Sequence, residues 1–222
     1  MFDLKSDLEK RRANSLYRRR LVNSSAQSVH SLIDGKTMLS FCSNDYLGLA
    51  NHGEIKKAFS AAVEDYGVGS GSAHLINGHS QLHHECEQRL AEFTGRERAL
   101  LFSTGYLANL AVASTLVGRH DFIYQDKLNH ASLIDAAKLS GAESKRYRHN
   151  DLLQLKTLLD KNQKPGRRLI MTDSIFSMDG DCADLVGLSK LTDGEDYCCM
   201  VDDAHGFGVL GKTGAGACSS LV

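Results

Sequence analysis

The sequence predicts an α/β fold in which a mostly parallel sheet is covered by helices on both faces. Three observations predict it. Short apolar runs alternate with longer segments of helical spacing from Ala99 onward, the pattern of repeated strand–helix units. The last of these runs, residues 197–201, ends abruptly in Asp202-Asp203-Ala204-His205-Gly206, and ligands of open α/β sheets sit just beyond the carboxyl ends of the strands. Glycine is plentiful (20) and proline nearly absent (1), so the breaks between elements fall mostly to glycine.

The chain of 222 residues is long enough to bury a sizeable core, as one domain or most of a larger one. Its formal net charge of -1 points to neither nucleic acid nor an anionic membrane. The sequence shows no long apolar span and no signal-peptide pattern, and the expectation is a soluble, cytoplasmic protein. Six unevenly spaced cysteines read as reduced thiols rather than a disulfide framework. Cys198 and Cys199 lie within a predicted strand that the uninterrupted apolar run marks as buried on both faces.

Taken in order, residues 2–20 read as an amphipathic helix, with Leu4 and Leu8 at helical spacing and Lys10, Arg11, Arg12, Arg18, Arg19 and Arg20 along it. Most of that charge suits a solvated face, although a guanidinium fork also matches a carboxylate or phosphate. Residues 29–41 read as a hairpin turning at Asp34-Gly35. A loop from Ser43 to Gly48 follows, then a helix over residues 55–66 that Gly67 ends. Strands are predicted at 99–102, 122–124, 145–147, 169–172 and 198–201, with helices at 107–116, from Asn129 through Leu139, and at 151–159. The polar clusters after the first, fourth and fifth of those strands are expected to converge at one sheet edge.

Two patterns invite other readings. His79 and His83 are spaced to share a helical face, but His84-Glu85 lacks the second histidine of a zinc-protease helix and no cysteine pair completes a metal site. Residues 206–213 formally fit the phosphate-binding pattern G-x-x-x-x-G-K-T. A phosphate loop opens a helix, however, and Gly214-Ala215-Gly216 is a poor first turn, because each interior glycine costs about 1 kcal/mol relative to alanine. Bulky Phe207, Val209 and Leu210 also leave little room for amides to wrap a phosphate.

Six motifs occur in order along the chain. They are Ser43-Asn44-Asp45-Tyr46-Leu47-Gly48, Gly67-Val68-Gly69-Ser70-Gly71, Ser103-Thr104-Gly105-Tyr106 with Ala108-Asn109, Asn129-His130-Ala131-Ser132, Phe176-Ser177-Met178-Asp179-Gly180, and Asp202-Asp203-Ala204-His205-Gly206. Together they resemble the α-oxoamine synthases, fold-type-I enzymes that use pyridoxal 5'-phosphate (PLP). The resemblance implies the PLP-binding large domain over residues 43–222, incomplete at its C-terminal side, and an N-terminal segment, residues 1–42, contributing to a small domain. It also implies roles. Asp202 matches the carboxylate on the pyridine nitrogen, His205 the partner of the phenolic oxygen, Gly105 and Tyr106 the phosphate contact, His130 the ring stacked on the cofactor, and Ser177 a further cofactor contact. Arg18, Asn44 and His130 match substrate-side positions.

The resemblance is strongest to the member that joins L-alanine to pimeloyl-CoA, or to a pimeloyl-carrier protein, in biotin synthesis. The nearest alternative is the member that condenses glycine with acetyl-CoA, and an inactive fragment is a further one. A cytoplasmic homodimer is implied as well. Departures are Ser72-Ala73-His74 after the glycine loop and Ala215 in place of a common Gly-Arg-Gly pattern. The family's Schiff-base lysine is expected beyond Val222, and Lys127, Lys190 and Lys212 do not match it, so this chain alone is expected to be inactive. Two strands that belong between residues 99–102 and 198–201 are expected later in sequence. The first and last predicted strands should then lie three strand steps apart, roughly 14 Å, rather than pair.

Overall fold

The computed structural model describes residues 3–194 and 197–220. It contains two compact units, Met1–Gly69 and Ser70–Val222.

In the first unit, α1 (Leu4–Ala13) starts on Asp3, whose carboxylate accepts from Ser6 N at 3.1 Å. Lys10, Arg11 and Arg12 crowd its last turn, where cations suit the helix C-terminus. The helix is shorter than its sequence suggests. It closes at Asn14, and Ser15 turns away with φ 56°, so Arg18, Arg19 and Arg20 follow in irregular backbone. Leu4 and Leu8 are exposed, so two leucines at helical spacing do not make a buried face here, and Phe2 lies outside the described residues.

The hairpin β1 (His30–Ile33) and β2 (Lys36–Leu39) pairs Ile33 with Lys36 around Asp34 (φ 46°) and Gly35 (φ 76°). Two positive φ values in succession give the twist a two-residue hairpin needs. Asp34 also accepts from Val22 N at 3.0 Å and pairs with Arg19 at 2.6 Å. The Val22 N–H, then Arg19, hold its carboxyl below its ordinary value. α2 (Gly53–Tyr66) ends at Gly67 (φ 75°), as the sequence predicts.

The second unit opens with a π-helical turn at His74–Gly78 and α3 (Gln81–Thr94). Ser80 caps α3, and His83 Nδ1 accepts from Ser80 N at 3.1 Å, so His83 is a capping residue. His79 precedes the helix and bonds His74 across 2.9 Å, and no group of metal-ligating side chains occurs among the described residues.

Four parallel strands follow, each pair joined by a helix. They are β3 (Phe122–Asp126), β4 (Glu143–Tyr147), β5 (Arg168–Asp173) and β6 (Tyr197–Asp202), in spatial order β4-β3-β5-β6. The connecting helices are α5 (Ala131–Ser140), α6 (Leu152–Asp160) and α7 (Leu185–Thr192), and α4 (Gly105–Leu116) precedes β3. Strand alternation divides the core in two. Ile123, Leu169 and Met171 face Ala113 of α4, Val117 just after it, and Leu133 and Ala136 of α5. Phe122, Tyr124 and Ile170 face Leu155, Leu159 and Leu188 of α6 and α7. Both faces are therefore covered, as a parallel sheet requires.

α3 and α7 go beyond the elements predicted from sequence. α7 is short and carries Gly187, where a Cβ would stand 2.6 Å from Leu152 Cδ1 of α6, so glycine permits the close approach of the two helices. Residues 99–102 form no strand. This corrects the expected strand: the run pairs with none of the four strands, and Leu100 and Phe102 are exposed, so apolar residues without a pairing neighbour do not form one here. β6 is an edge strand, and Cys198 and Cys199 are exposed free thiols rather than core residues. Among the described residues, no helix is long and apolar enough to cross a membrane.

Candidate active site

Three neighbouring strands, β3, β5 and β6, each end in an aspartate, and each carboxylate has a different setting. Asp126 is buried and accepts from Leu128 N (2.8 Å), Asn150 N (2.8 Å) and His149 Nδ1 (3.0 Å), which marks it as structural. Asp173 is 5% exposed; one oxygen accepts from His130 N at 2.9 Å, and the other has no hydrogen-bond partner. Burial pushes its carboxyl up to about 6; the His130 N–H pulls against this and the charge of Asp202 adds to it. Asp202, paired in register with Asp173, is half-buried. It accepts from Asn109 Nδ2 at 2.7 Å and from Ala204 N at 3.0 Å.

Asn109 links Asp202 to His130. Its amide also donates to Ser132 Oγ at 2.8 Å, and Ser132 Oγ lies 2.6 Å from His130 Nδ1. His130 is the N-cap of α5, and its Nδ1 accepts from Ser132 N at 3.2 Å. An Nδ1 that accepts from an amide carries no proton, so the neutral ring holds its proton on Nε2. The exposed ring meets Tyr106 edge-on, with centroids 6.4 Å apart. Tyr106 donates a short hydrogen bond to Asp135, which raises the phenol's pKa and lowers that of the carboxyl.

Thr104 caps α4, accepting from Leu107 N at 3.1 Å, and Gly105 and Tyr106 form an exposed first turn whose free N–H groups suit an anion. Ser177 is exposed on a loop closed by the Ile175–Cys182 bridge. His205 is half-buried in the turns after β6. Arg18 and Asn44 are exposed and belong to the first unit, where Tyr46 Oη donates to Asn44 Oδ1 at 3.5 Å.

The structure thus brings Asp202 at the end of β6, His130 after β3 and Tyr106 in the first turn of α4 into one connected group. Sequence reasoning assigned no role to Asn109, Ser132, Asp173 or Asp203. Asn109 had a legible signal, a lone amide in the apolar run of α4. Asp203 had another in the glycines around it. A Cβ on Gly206 would stand 2.2 Å from Asp203 Oδ1, and one on Gly216 (φ 97°) 2.0 Å from Oδ2. Asp203 accepts from Ser174 Oγ at 2.5 Å and Ala217 N at 2.9 Å. Those two glycines make room for a carboxylate, and the stretch 206–213 is a string of turns that opens no helix, so the phosphate-loop spacing is a coincidence.

The chain matches the family model for aminotransferase class I and II over residues 36–221. It is 52% identical to an 8-amino-7-oxononanoate synthase of Thioalkalivibrio sulfidiphilus, over 98% of this chain and 55% of the relative. With the enzyme of the same name from Pseudomonas aeruginosa the identity is 55%, over 97% and 53%. Among solved structures, a serine palmitoyltransferase of S. paucimobilis with bound PLP and myriocin superposes with TM-score 0.89 at 30% identity, over 98% of this chain and 55% of that one. An 8-amino-7-oxononanoate synthase from Francisella tularensis gives TM-score 0.70 at 39% identity, over 81% and 49%. The chain spans about half the length of the curated relatives it matches. The resemblance read from the six motifs therefore holds across both sequence and fold, and the chain belongs to the aminotransferase class I and II family.

Proposed function

We propose that the complete protein carrying this chain is a PLP-dependent 8-amino-7-oxononanoate synthase. In that reading it condenses L-alanine with pimeloyl-CoA or a pimeloyl-carrier protein, releasing CO2 and CoA or the carrier. The observation that carries the reading is the Asp202–Asn109–Ser132–His130 chain of hydrogen bonds. It links a carboxylate at the end of β6 to an aromatic imidazole beyond the end of β3, two strands across the sheet.

The donor set fits the cofactor. Asp202 offers a carboxylate oriented by two donors, as a protonated pyridine nitrogen needs. The N-terminus of α4 at Gly105 and Tyr106 suits a phosphate, and a Cβ on Gly105 would meet nothing within 4 Å, so the approach is open. When bound, PLP supplies an electron sink for the carbon next to the amino group. The chain's own residues orient and protonate. Asp202 would hold a proton at the ring nitrogen, His205 and Ser177 would contact the cofactor, and His130 would stack on its ring and offer a hydrogen bond to substrate. Asn44 and Arg18 are assigned to substrate, Arg18 to the distal carboxylate of the pimeloyl chain. Residues 1–42 are assigned to the small domain, and the working form to a cytoplasmic homodimer.

The test compares donors on the complete protein. Turnover of alanine with pimeloyl-CoA should exceed that of glycine with acetyl-CoA by about 100-fold or more, and the reverse preference overturns the assignment. Arg18→Ala should raise KM for the pimeloyl donor more than for a donor lacking the distal carboxylate. The chain of 222 residues alone should yield no stoichiometric PLP adduct after borohydride reduction, because Lys127, Lys190 and Lys212 are all exposed on the surface. A single modified lysine in a peptide map would contradict this.

A further inference from the structure

His149, just after β4, takes no part in the connected group at Asp202, yet both of its ring nitrogens face carboxylates. Nδ1 lies 3.0 Å from Asp126 Oδ1 and Nε2 2.7 Å from Asp181 Oδ2. Carboxylate oxygens only accept, so both nitrogens must donate, and an imidazole can do that only when protonated. Asp126 is anchored in the sheet end, whereas Asp181 belongs to the loop over residues 174–183 that carries Ser177.

Other contacts converge on the same loop. The His149 ring meets buried Phe176 edge-on at 4.3 Å, and Asn150, held at φ 54°, donates to Asp181 Oδ2 (3.1 Å) and Cys182 O (2.9 Å). Within the loop, Phe176 N donates to Asp181 O (2.9 Å), Gly180 N to Phe176 O (2.8 Å) and Ala183 N to Ser174 O (2.9 Å). The loop is thus a closed unit fastened to the sheet end through His149 and Asn150.

We propose that His149 is a positioning residue: as an imidazolium between Asp126 and Asp181 it clamps the 174–183 loop, and so sets where Ser177 stands. The link to Ser177 rests on the proposed cofactor reading, whereas the clamp does not. Burial opposes the charged ring, but hydrogen bonds and charge from Asp126 and Asp181 prevail and raise its pKa. Its surroundings otherwise hold Tyr147, whose phenol burial pushes well above the ordinary range, and Arg148, which pairs with Asp151 at 2.6 Å instead. A raised histidine stabilises the folded form fully below its unfolded value, and that contribution is lost as pH rises through the folded value. Deprotonation removes one donor, and the clamp must then release a carboxylate.

The test follows amide exchange of Phe176, Gly180 and Ala183 in the complete protein stripped of PLP, with His149 titrated by NMR. After correction for intrinsic exchange, protection should fall about tenfold as His149 deprotonates. His149→Gln should show low protection at every pH. Asp181→Asn, confined to the loop, should keep global stability, lose the pH dependence and weaken PLP binding several-fold. Wild-type protection that ignores the His149 titration, or an Asp181→Asn variant that keeps the full pH dependence, overturns the clamp. If loop opening follows the titration but PLP affinity is unchanged in Asp181→Asn, the role toward Ser177 is overturned instead.

Discussion

β5 and β6 are neighbouring six-residue strands that pair in register from Arg168–Tyr197 to Asp173–Asp202. Both are apolar runs ending in aspartate, yet they live in different surroundings. β5 is buried from Leu169 to Asp173, whereas β6 leaves Cys198 and Cys199 exposed along the sheet edge. Their terminal carboxylates follow suit. Asp173, sealed in with an unpartnered oxygen, is pushed toward its neutral form. Asp202, half-buried, has a hydrogen-bond donor on each oxygen, Asn109 Nδ2 and Ala204 N. A residue type at a strand end does not define its chemistry; the supply of donors and solvent does.

The largest expected effect comes from breaking the buried strand. Ile170→Ala, at a fully buried site between Tyr124 and the α6–α7 face, should cost about 2–5 kcal/mol by urea denaturation. Cys198→Ala on β6 should stay within about 0.5 kcal/mol. Equal losses at the two sites would mean that β6 is as well covered as β5.

Asp202→Asn in the complete protein should cut turnover on the order of 100-fold with little change in fold, because an amide cannot hold a pyridinium proton. Near-normal turnover would refute its assigned role. Asn109→Ala removes the donor shared by Asp202 and Ser132 and should cost about 1–3 kcal/mol of stability. Its effect should combine non-additively with Asp202→Asn in a double-mutant cycle.

Asp173 gives a smaller, pH-dependent contrast. Its folded value of about 6 lies above its ordinary value of 3.8, so the folded state binds the extra proton between them. Stability then falls as pH rises through that window, by on the order of 2 kcal/mol. Asp173→Asn should remove that fall, measured as the urea midpoint at about pH 4 and pH 7. A wild-type profile as flat as the variant's would show that Asp173 stays ionised.

Legibility from sequence tracked how local each cause is. The Asp34–Gly35 hairpin, the stop at Gly67 and all four paired strands were readable, because turn chemistry and apolar runs act over a few residues. The first helix was overextended because nothing in its run of arginines signals the turn at Ser15. β6 was misread as covered because an apolar run states what a strand can bury, not which neighbours it has. Residues 99–102 illustrate the same point from the other side, an apolar run with no pairing partner. At the site, Asp202 was visible as a carboxylate ending an apolar run, and His130 through the helix-opening motif Asn129-His130-Ala131-Ser132 and the resemblance it carries. Asn109 and Ser132 were visible only as members of motifs, Asn109 also as a lone amide in an apolar helix, and Asp173 not at all, because what they do lies in bonds that span distant parts of the chain.

One of those bonds also bears on the order in which the molecule assembles. Asn109 and Asp202 are 93 residues apart in sequence. Closing so long a segment costs entropy before any contact repays it, so contacts of this range are made late in folding and lengthen the search. The carboxylate is therefore oriented only once β3, β4, β5 and the helices between them have found their places. Weakening the bond should mainly speed unfolding and leave the folding rate nearly unchanged, a pattern that stopped-flow kinetics on Asn109→Ala can read directly.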